Sequence, residues 1–288
     1  MKKLIVGTLI TILVFVLVAI KVYPVAKSKW WNEEEILESK NQELSKKEKE
    51  TEIHKFNVSH RSPYVDETFP FRTLEEEEYA KKNPEKFNIV HNIYYSWDKV
   101  DTANGEFTYK LSKLDNLHQI KFYVDFIRFT SYTEEKTQDK TGMVREIILE
   151  NSKKLVRQKP EEGIYNVLKK NNSFAITVKW LIGSELWMYI YNNYDDWQFE
   201  EGEHLGVPVY IIEGSLSKKT SESLEGPFTL IVTKDTGVIL EANFYGKEDA
   251  GLSIKVNKIQ LNEGNPEDAF NLNLTNNKEV TTDEYFVK

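Results

Sequence analysis

From Gly206 onward the chain alternates apolar and polar residues in three long stretches, GVPVYIIEGSL, GPFTLIVTKDTGVILEANFYG and LSIKVNKIQL. Only short Gly-, Asp- and Ser-rich turns interrupt them. Period-two alternation puts successive side chains on opposite faces, so such a stretch buries one side only as a β-strand. Val207, Val209 and Ile211 form one apolar face, Phe228, Leu230 and Val232 a second, and Val238, Leu240, Ala242 and Phe244 a third. Lys234-Asp235-Thr236-Gly237 separates the last two, with glycine where a tight hairpin needs positive φ. The C-terminal half is expected to be an antiparallel meander.

The chain has 288 residues, enough for one large β-rich domain and a tail. Its apolar fraction of 40% with 12% aromatics supplies a packed core. Acidic residues outnumber basic ones by 46 to 38, a net charge of −8, and no basic patch is interleaved with aromatics. That excludes a nucleic-acid partner. The absence of cysteine excludes thiol catalysis, disulfides, thiolate metal sites and a lipid-modified N-terminal cysteine.

Met1-Lys2-Lys3 precedes the uncharged run Leu4–Ile20, which Lys21 closes. The run is at the short end of what crosses about 30 Å of hydrocarbon, but Lys21 can snorkel and Tyr23 adds an interfacial aromatic. A cleaved signal peptide has a shorter apolar core, about 7–15 residues, ending in an A-x-A-like site. Here Ala19-Ile20-Lys21 fits that site poorly and Pro24 follows closely. Residues 1–25 are therefore read as a signal anchor forming one transmembrane helix, with the N-terminal lysines in the cytoplasm and the rest outside. Residues 26–72 form a charged linker and irregular lead-in. Ile36, Leu44 and Ile53 make no sustained heptad, so its Glu/Lys-rich part is a solvated stalk rather than a coiled coil. Residues 73–288 form the globular domain.

Asn83-Pro84-Glu85 starts a helix predicted over 84–98, with Phe87, Val90, Ile93, Tyr94 and Trp97 three and four apart. Strands follow at Gly105–Leu111 and Ile120–Phe126, the second placing Ile120, Phe122, Val124 and Phe126 on one face. Met143–Leu149 and Lys153–Arg157 form a hairpin around Glu150-Asn151-Ser152, and Tyr165–Leu168 is a short strand or a turn. Ser184 caps a second apolar helix over 184–192, striped by Leu186, Trp187, Ile190 and Tyr191.

A helix, a DTANGEFTY first strand, a long second strand and a closing meander, over about residues 84–272, resemble the LolA/LolB lipoprotein-carrier superfamily, which includes the RseB/MucB-type sensors. The resemblance implies an α+β fold: a curved antiparallel sheet, an unclosed half-barrel, covered by helices over an apolar cavity. The cavity candidates are Phe122, Val124 and Phe126 on the sheet and Leu186, Trp187 and Ile190 on the covering helix. Two functions remain open on that resemblance. One is a non-enzymatic binding protein, held to the membrane by its own anchor, that takes up a lipid or other hydrophobic ligand. The other is a regulatory protein, like the RseB-type sensors, that binds the outside portion of a membrane-protein partner.

No motif for covalent, phosphate-binding or zinc chemistry is present: G-x-S-x-G, H-E-x-x-H, a Gly-rich phosphate loop and G-x-G-x-x-G are all missing. No cofactor and no metal site is expected. His54, His60, His91, His118 and His204 are scattered, with His91 and His118 read as surface or core-edge groups. Asp195-Asp196 and Glu200-Glu201-Gly202-Glu203 lack EF-hand spacing and are expected in a solvated turn.

Overall fold

The computed structural model describes residues 55–56, 73–111, 116–139, 142–170, 177–246 and 251–286. The Leu4–Ile20 run and nearly all of the linker lie outside them. Among the described residues no helix is long and apolar enough to cross a membrane.

The strands are β1 (Lys55–Phe56), β2 (Thr102–Leu111), β3 (Leu117–Asp125), β4 (Thr130–Asp139), β5 (Gly142–Asn151), β6 (Lys154–Lys159), β7 (Ile164–Lys169), β8 (Trp197–His204), β9 (Val207–Leu216), β10 (Gly226–Thr233), β11 (Ile239–Tyr245), β12 (Gly251–Leu261) and β13 (Lys278–Glu279). They form one sheet in the order β13-β7-β6-β5-β4-β3-β2-β12-β11-β10-β9-β8, with β1 added beside β12. All pairings are antiparallel except the two-residue pairs β1–β12 and β13–β7. Among the described residues no pairing joins β7 to β8, so the sheet is unclosed. This is the half-barrel that the resemblance implies.

The meander β9–β12 lies where the alternation predicts it. Phe228, Leu230, Val232, Leu240, Ala242 and Phe244 are buried, Phe228 opposite Phe244 and Leu230 opposite Ala242. In β9 Ile212 and Leu216 are buried on the face that carries Leu230, while Val209, buried as well, lies on the other face with Ile211. Ile211 and Ile212 are adjacent, so the sequence permits either face, and the ladder settles it by setting Ile212 opposite Leu230. Gly237 takes φ +72°, as the hairpin requires. β2 meets β12 at the centre of the sheet, where a bulge shifts the register between Val256 and Lys258.

The helices are α1 (Leu74–Lys82), α2 (Pro84–Tyr94), α3 (Trp187–Ile190) and α4 (Thr282–Phe286). Thr73 caps α1, accepting the Glu76 amide at 3.2 Å, with acidic residues in the first turn as the helix dipole favours. α2 starts at Pro84 as predicted but ends at Tyr94, and residues 96–99 tighten into a 3-10 turn. Its buried residues are Ile89, Val90 and Ile93, while Trp97 is 36% exposed.

The predicted helix over 184–192 is corrected to a single turn, Trp187–Ile190. Gly183 at φ +60° and Asn192 at φ +59° bracket it in left-handed conformations, and so short a helix persists only through tertiary packing. The expected solvated turn at Glu200–Glu203 is likewise corrected: these residues belong to β8, with Glu200 opposite Ile211 and Gly202 opposite Val209. β8 is an edge strand, so its glutamates keep contact with water.

The core lies between one face of the sheet and two covers, α1–α2 and the stretch 177–197. Polar ties join the covers. The Tyr79 hydroxyl donates to Asp195 Oδ2 at 2.7 Å and Tyr191 donates to Glu76 Oε2 at 3.0 Å. The Lys86 ammonium, over the Trp197 ring, donates to the Tyr194 and Trp197 carbonyls.

Candidate functional site

Cross-strand partners share a face of a sheet, as do residues two apart along a strand. Ile120 stands opposite Glu135, Glu135 opposite Glu146, Thr137 opposite Val144, and Ile148 opposite Arg157. The inward face that carries Ile120 and Phe122 in β3 therefore continues into β4–β6 as Glu135, Thr137, Val144, Glu146, Arg157 and Lys159. The apolar core gives way there to a charged trough of about 350 Å³, closed on one side by Phe286 of α4.

Glu135 and Glu146 face each other directly, which disfavours the pairing unless each carboxylate is compensated. Glu135 Oε1 lies 2.6 Å from His118 Nδ1 and accepts the Tyr109 hydroxyl at 3.0 Å, with the Tyr109 and His118 rings stacked at 4.3 Å. Glu146 accepts two hydrogen bonds from Arg157, at 2.9 and 2.7 Å, in the bidentate geometry guanidinium favours. It also accepts the Tyr285 hydroxyl at 2.8 Å. Thr137 Oγ1 contacts the same His118 nitrogen as Glu135, at 3.0 Å. A nucleophilic triad needs hydroxyl and carboxylate on opposite ring nitrogens, so this cluster is not one.

The C-terminal segment completes the trough. Lys278 N donates to the Gly163 carbonyl and Val280 N to the Tyr165 carbonyl, adding β13 to the β7 edge. Asn166 and Lys159 donate to the carbonyls of Val280 and Tyr285. Thr281 and Glu284 cap α4 reciprocally, each side chain accepting the other's amide at 3.3 and 2.8 Å. Arg157 and Lys159 both approach the Tyr285 ring, at 5.9 and 4.6 Å from its centre, and Tyr285 is 1% exposed.

Burial, reinforced by the hydrogen bonds to Glu135 and Glu146, pushes the Tyr109 and Tyr285 phenols far above their usual value of 10.0. Burial, then Asp195, pushes Tyr79 up to about 12. The unfolded chain releases these protons near pH 10 while the folded chain keeps them. The folded state thus binds more protons above that pH, and stability falls as pH rises. Urea midpoints are expected to hold steady up to about pH 9.5 and decline from pH 10 toward about 12. Tyr285→Phe is expected to flatten that decline, and an unchanged slope would place Tyr285 in water.

The six predicted cavity residues lie elsewhere. Phe122, Val124 and Ile190 are 0% exposed, Leu186 2% and Phe126 6%, all within the core cluster. Trp187 is half-buried against that cluster, edge-on to Tyr94 at 5.1 Å. The sequence reading missed Tyr109, Glu135, Glu146, Arg157, Lys159 and Tyr285. The one signal for them was the hairpin around Glu150-Asn151-Ser152, whose register aligns β5 with β6. His118 lies at the core edge, 13% exposed. Asp195 accepts Tyr79 in a turn. No cluster of three or more metal-ligating side chains occurs among the described residues.

No family model and no curated protein matches the chain. It is similar to LprF from Mycobacterium bovis, with 11% identity and a TM-score of 0.41, over 65% of this chain and 98% of that one. It is similar to the MucA/MucB complex structure of Pseudomonas aeruginosa, with 10% identity and a TM-score of 0.39, over 69% of this chain and 64% of that one. A third is a LolA superfamily protein from Nitrosomonas europaea, with 11% identity and a TM-score of 0.28, over 65% of this chain and 97% of that one.

Proposed function

We propose that the chain is a non-enzymatic, extracytoplasmic binding domain, held at the membrane by residues 1–25, which recognises a polypeptide segment of a membrane partner along the β6–β7 side of its trough. One observation carries this reading. The trough and the adjoining β7 edge already hold a short polypeptide segment, the chain's own residues 278–286, as the two-residue strand β13 and the helical turn α4, through backbone ladder bonds and side chains that donate to its carbonyls. Adding a strand to an exposed edge, with pockets for alternate side chains, is a general mode of peptide recognition. The lipid reading needs a hollow among Phe122, Val124, Phe126, Leu186, Trp187 and Ile190, of which all but Trp187 are buried in the core cluster. Only Trp187, half-buried on the cover, could admit a ligand by swinging aside.

Purified full-length protein, titrated with extended peptides and with a fluorescent fatty acid, separates the readings. The expected result is saturable peptide binding that Arg157→Ala or Lys159→Ala weakens by about tenfold, without saturable fatty-acid uptake. Fatty-acid uptake that Trp187→Ala abolishes at an unchanged melting temperature would overturn the peptide reading. Location has its own test: protease added to intact protoplasts is expected to degrade the large domain, and full protection would reverse the topology.

A further inference from the structure

Two hairpin tips at one end of the sheet carry exposed apolar and basic side chains. β3 turns into β4 through Phe126-Ile127-Arg128-Phe129, and β5 into β6 through Ser152-Lys153. Thr130 pairs with Asn151, which sets the tips side by side. At the first tip Ile127 is 61% and Phe129 51% exposed. Phe129 also sits at φ +49°, a conformation that glycine or asparagine takes easily and a bulky residue does not. Phe129 thus holds a bulky, half-exposed ring on a left-handed backbone, the kind of local strain that marks functional surfaces.

The charges point the same way. Arg128, Lys153, Lys154 and Lys169 are all exposed. Lys154 stands directly opposite Lys169 in the ladder, an arrangement of like charges that disfavours pairing. Asp125 approaches Arg128 only at 3.7 Å, with the arginine side chain 79% exposed. Lys153, Lys154 and Lys169 make no ion pair among the described residues. This basic cluster occurs in a chain whose net charge is −8.

We propose that this end of the sheet docks on an anionic lipid bilayer, with Ile127 and Phe129 entering the headgroup layer and Arg128, Lys153, Lys154 and Lys169 facing lipid phosphates. Exposed apolar side chains beside a cluster of lysine and arginine are a composition that holds a protein surface at a charged interface. Two turns side by side offer no unpaired strand edge to extend, which suits a lipid surface rather than an added peptide strand. The docking surface is separate from the trough and stands whether or not a peptide binds there.

The test is hydrogen exchange of the full-length protein in vesicles of phosphatidylcholine, alone or with about 30% phosphatidylglycerol, a surface to which each basic residue adds attraction. Any insertion through residues 1–25 is common to both vesicles, so the difference between them reports the tips. Residues 126–130 and 151–154 are expected to exchange at least about tenfold more slowly on the anionic vesicles, less so at high salt. Phe129→Asn suits the left-handed backbone, so it should keep or raise the melting temperature while losing the protection. The double change Lys153→Glu and Lys154→Glu should lose it too. Equal protection on both vesicles, or protection that survives in both variants, overturns the proposal. So does protection without lipid that grows with protein concentration, which would assign the tips to a second copy of the chain.

Discussion

Gly237→Ala is expected to destabilise the domain by about 4 kcal/mol, at the upper end of what one substitution does. A side chain at φ +72° costs about 1–2 kcal/mol by itself. The larger part is steric, because an added Cβ would lie 2.0 Å from the Asn92 carbonyl oxygen and 2.4 Å from its carbon. Both are backbone atoms in the last turn of α2, so relief requires the helix to shift, and with it Val90 and Ile93, each 0% exposed. Asn92 and Lys99 further fix the junction by donating to the Lys234 and Asp235 carbonyls at 2.7 and 2.9 Å. Gly206→Ala is the control: it has φ +77° with nothing within 4 Å of the added carbon, and should cost only about 1–2 kcal/mol. Equal urea midpoints for the two variants would mean that the hairpin does not clasp α2.

Tyr285→Ala is expected to cost about 3–5 kcal/mol, the range for truncating a buried aromatic, and Tyr285→Phe about 1 kcal/mol for its hydroxyl bond. The alanine variant leaves Glu146 without one donor and removes the ring lying over Arg157 and Lys159. Native-state hydrogen exchange should show residues 278–286 losing protection while β2 and β3 retain theirs. A melting temperature unchanged by the alanine substitution would mean that the segment is not seated in the trough.

How far the sequence discloses this architecture depends on what each strand borders. β10–β12 are apolar on one face, and β2 and β3 nearly so, because helices cover them, and their alternation was plain. β4, TSYTEEKTQD, has no apolar face because its inner side is the trough. It is a strand because β3 and β5 both pair with it, which no local pattern announces. The α3 stripe marked buried residues correctly, since Leu186, Ile190 and Tyr191 are all in the core. Its helical length was not legible, because Gly183 and Asn192 stop it from either side. Period-two runs such as Phe122 and Val124 show which face is apolar, but not whether that face encloses a space or is filled. The trough was hidden for a further reason. Its charged members come from three strands and a distant C-terminal segment, and only the cross-strand register brings them together.

The pairing of β2 with β12 has a consequence for how the chain acquires its structure. The two central strands lie at opposite ends of the domain's sequence, Thr102–Leu111 against Gly251–Leu261. Until residue 261 has left the ribosome, the meander β2–β7 presents an open edge along β2, and β8–β11 have no neighbour to extend from. Contacts this distant form late and slowly, since the intervening chain must be ordered first. Residues 102–169 therefore have an extended interval in which an unpaired strand edge is available to other chains. Conditions that delay the arrival of β12 should trap the protein as aggregate, whereas changes confined to β8 should leave the folding rate nearly untouched.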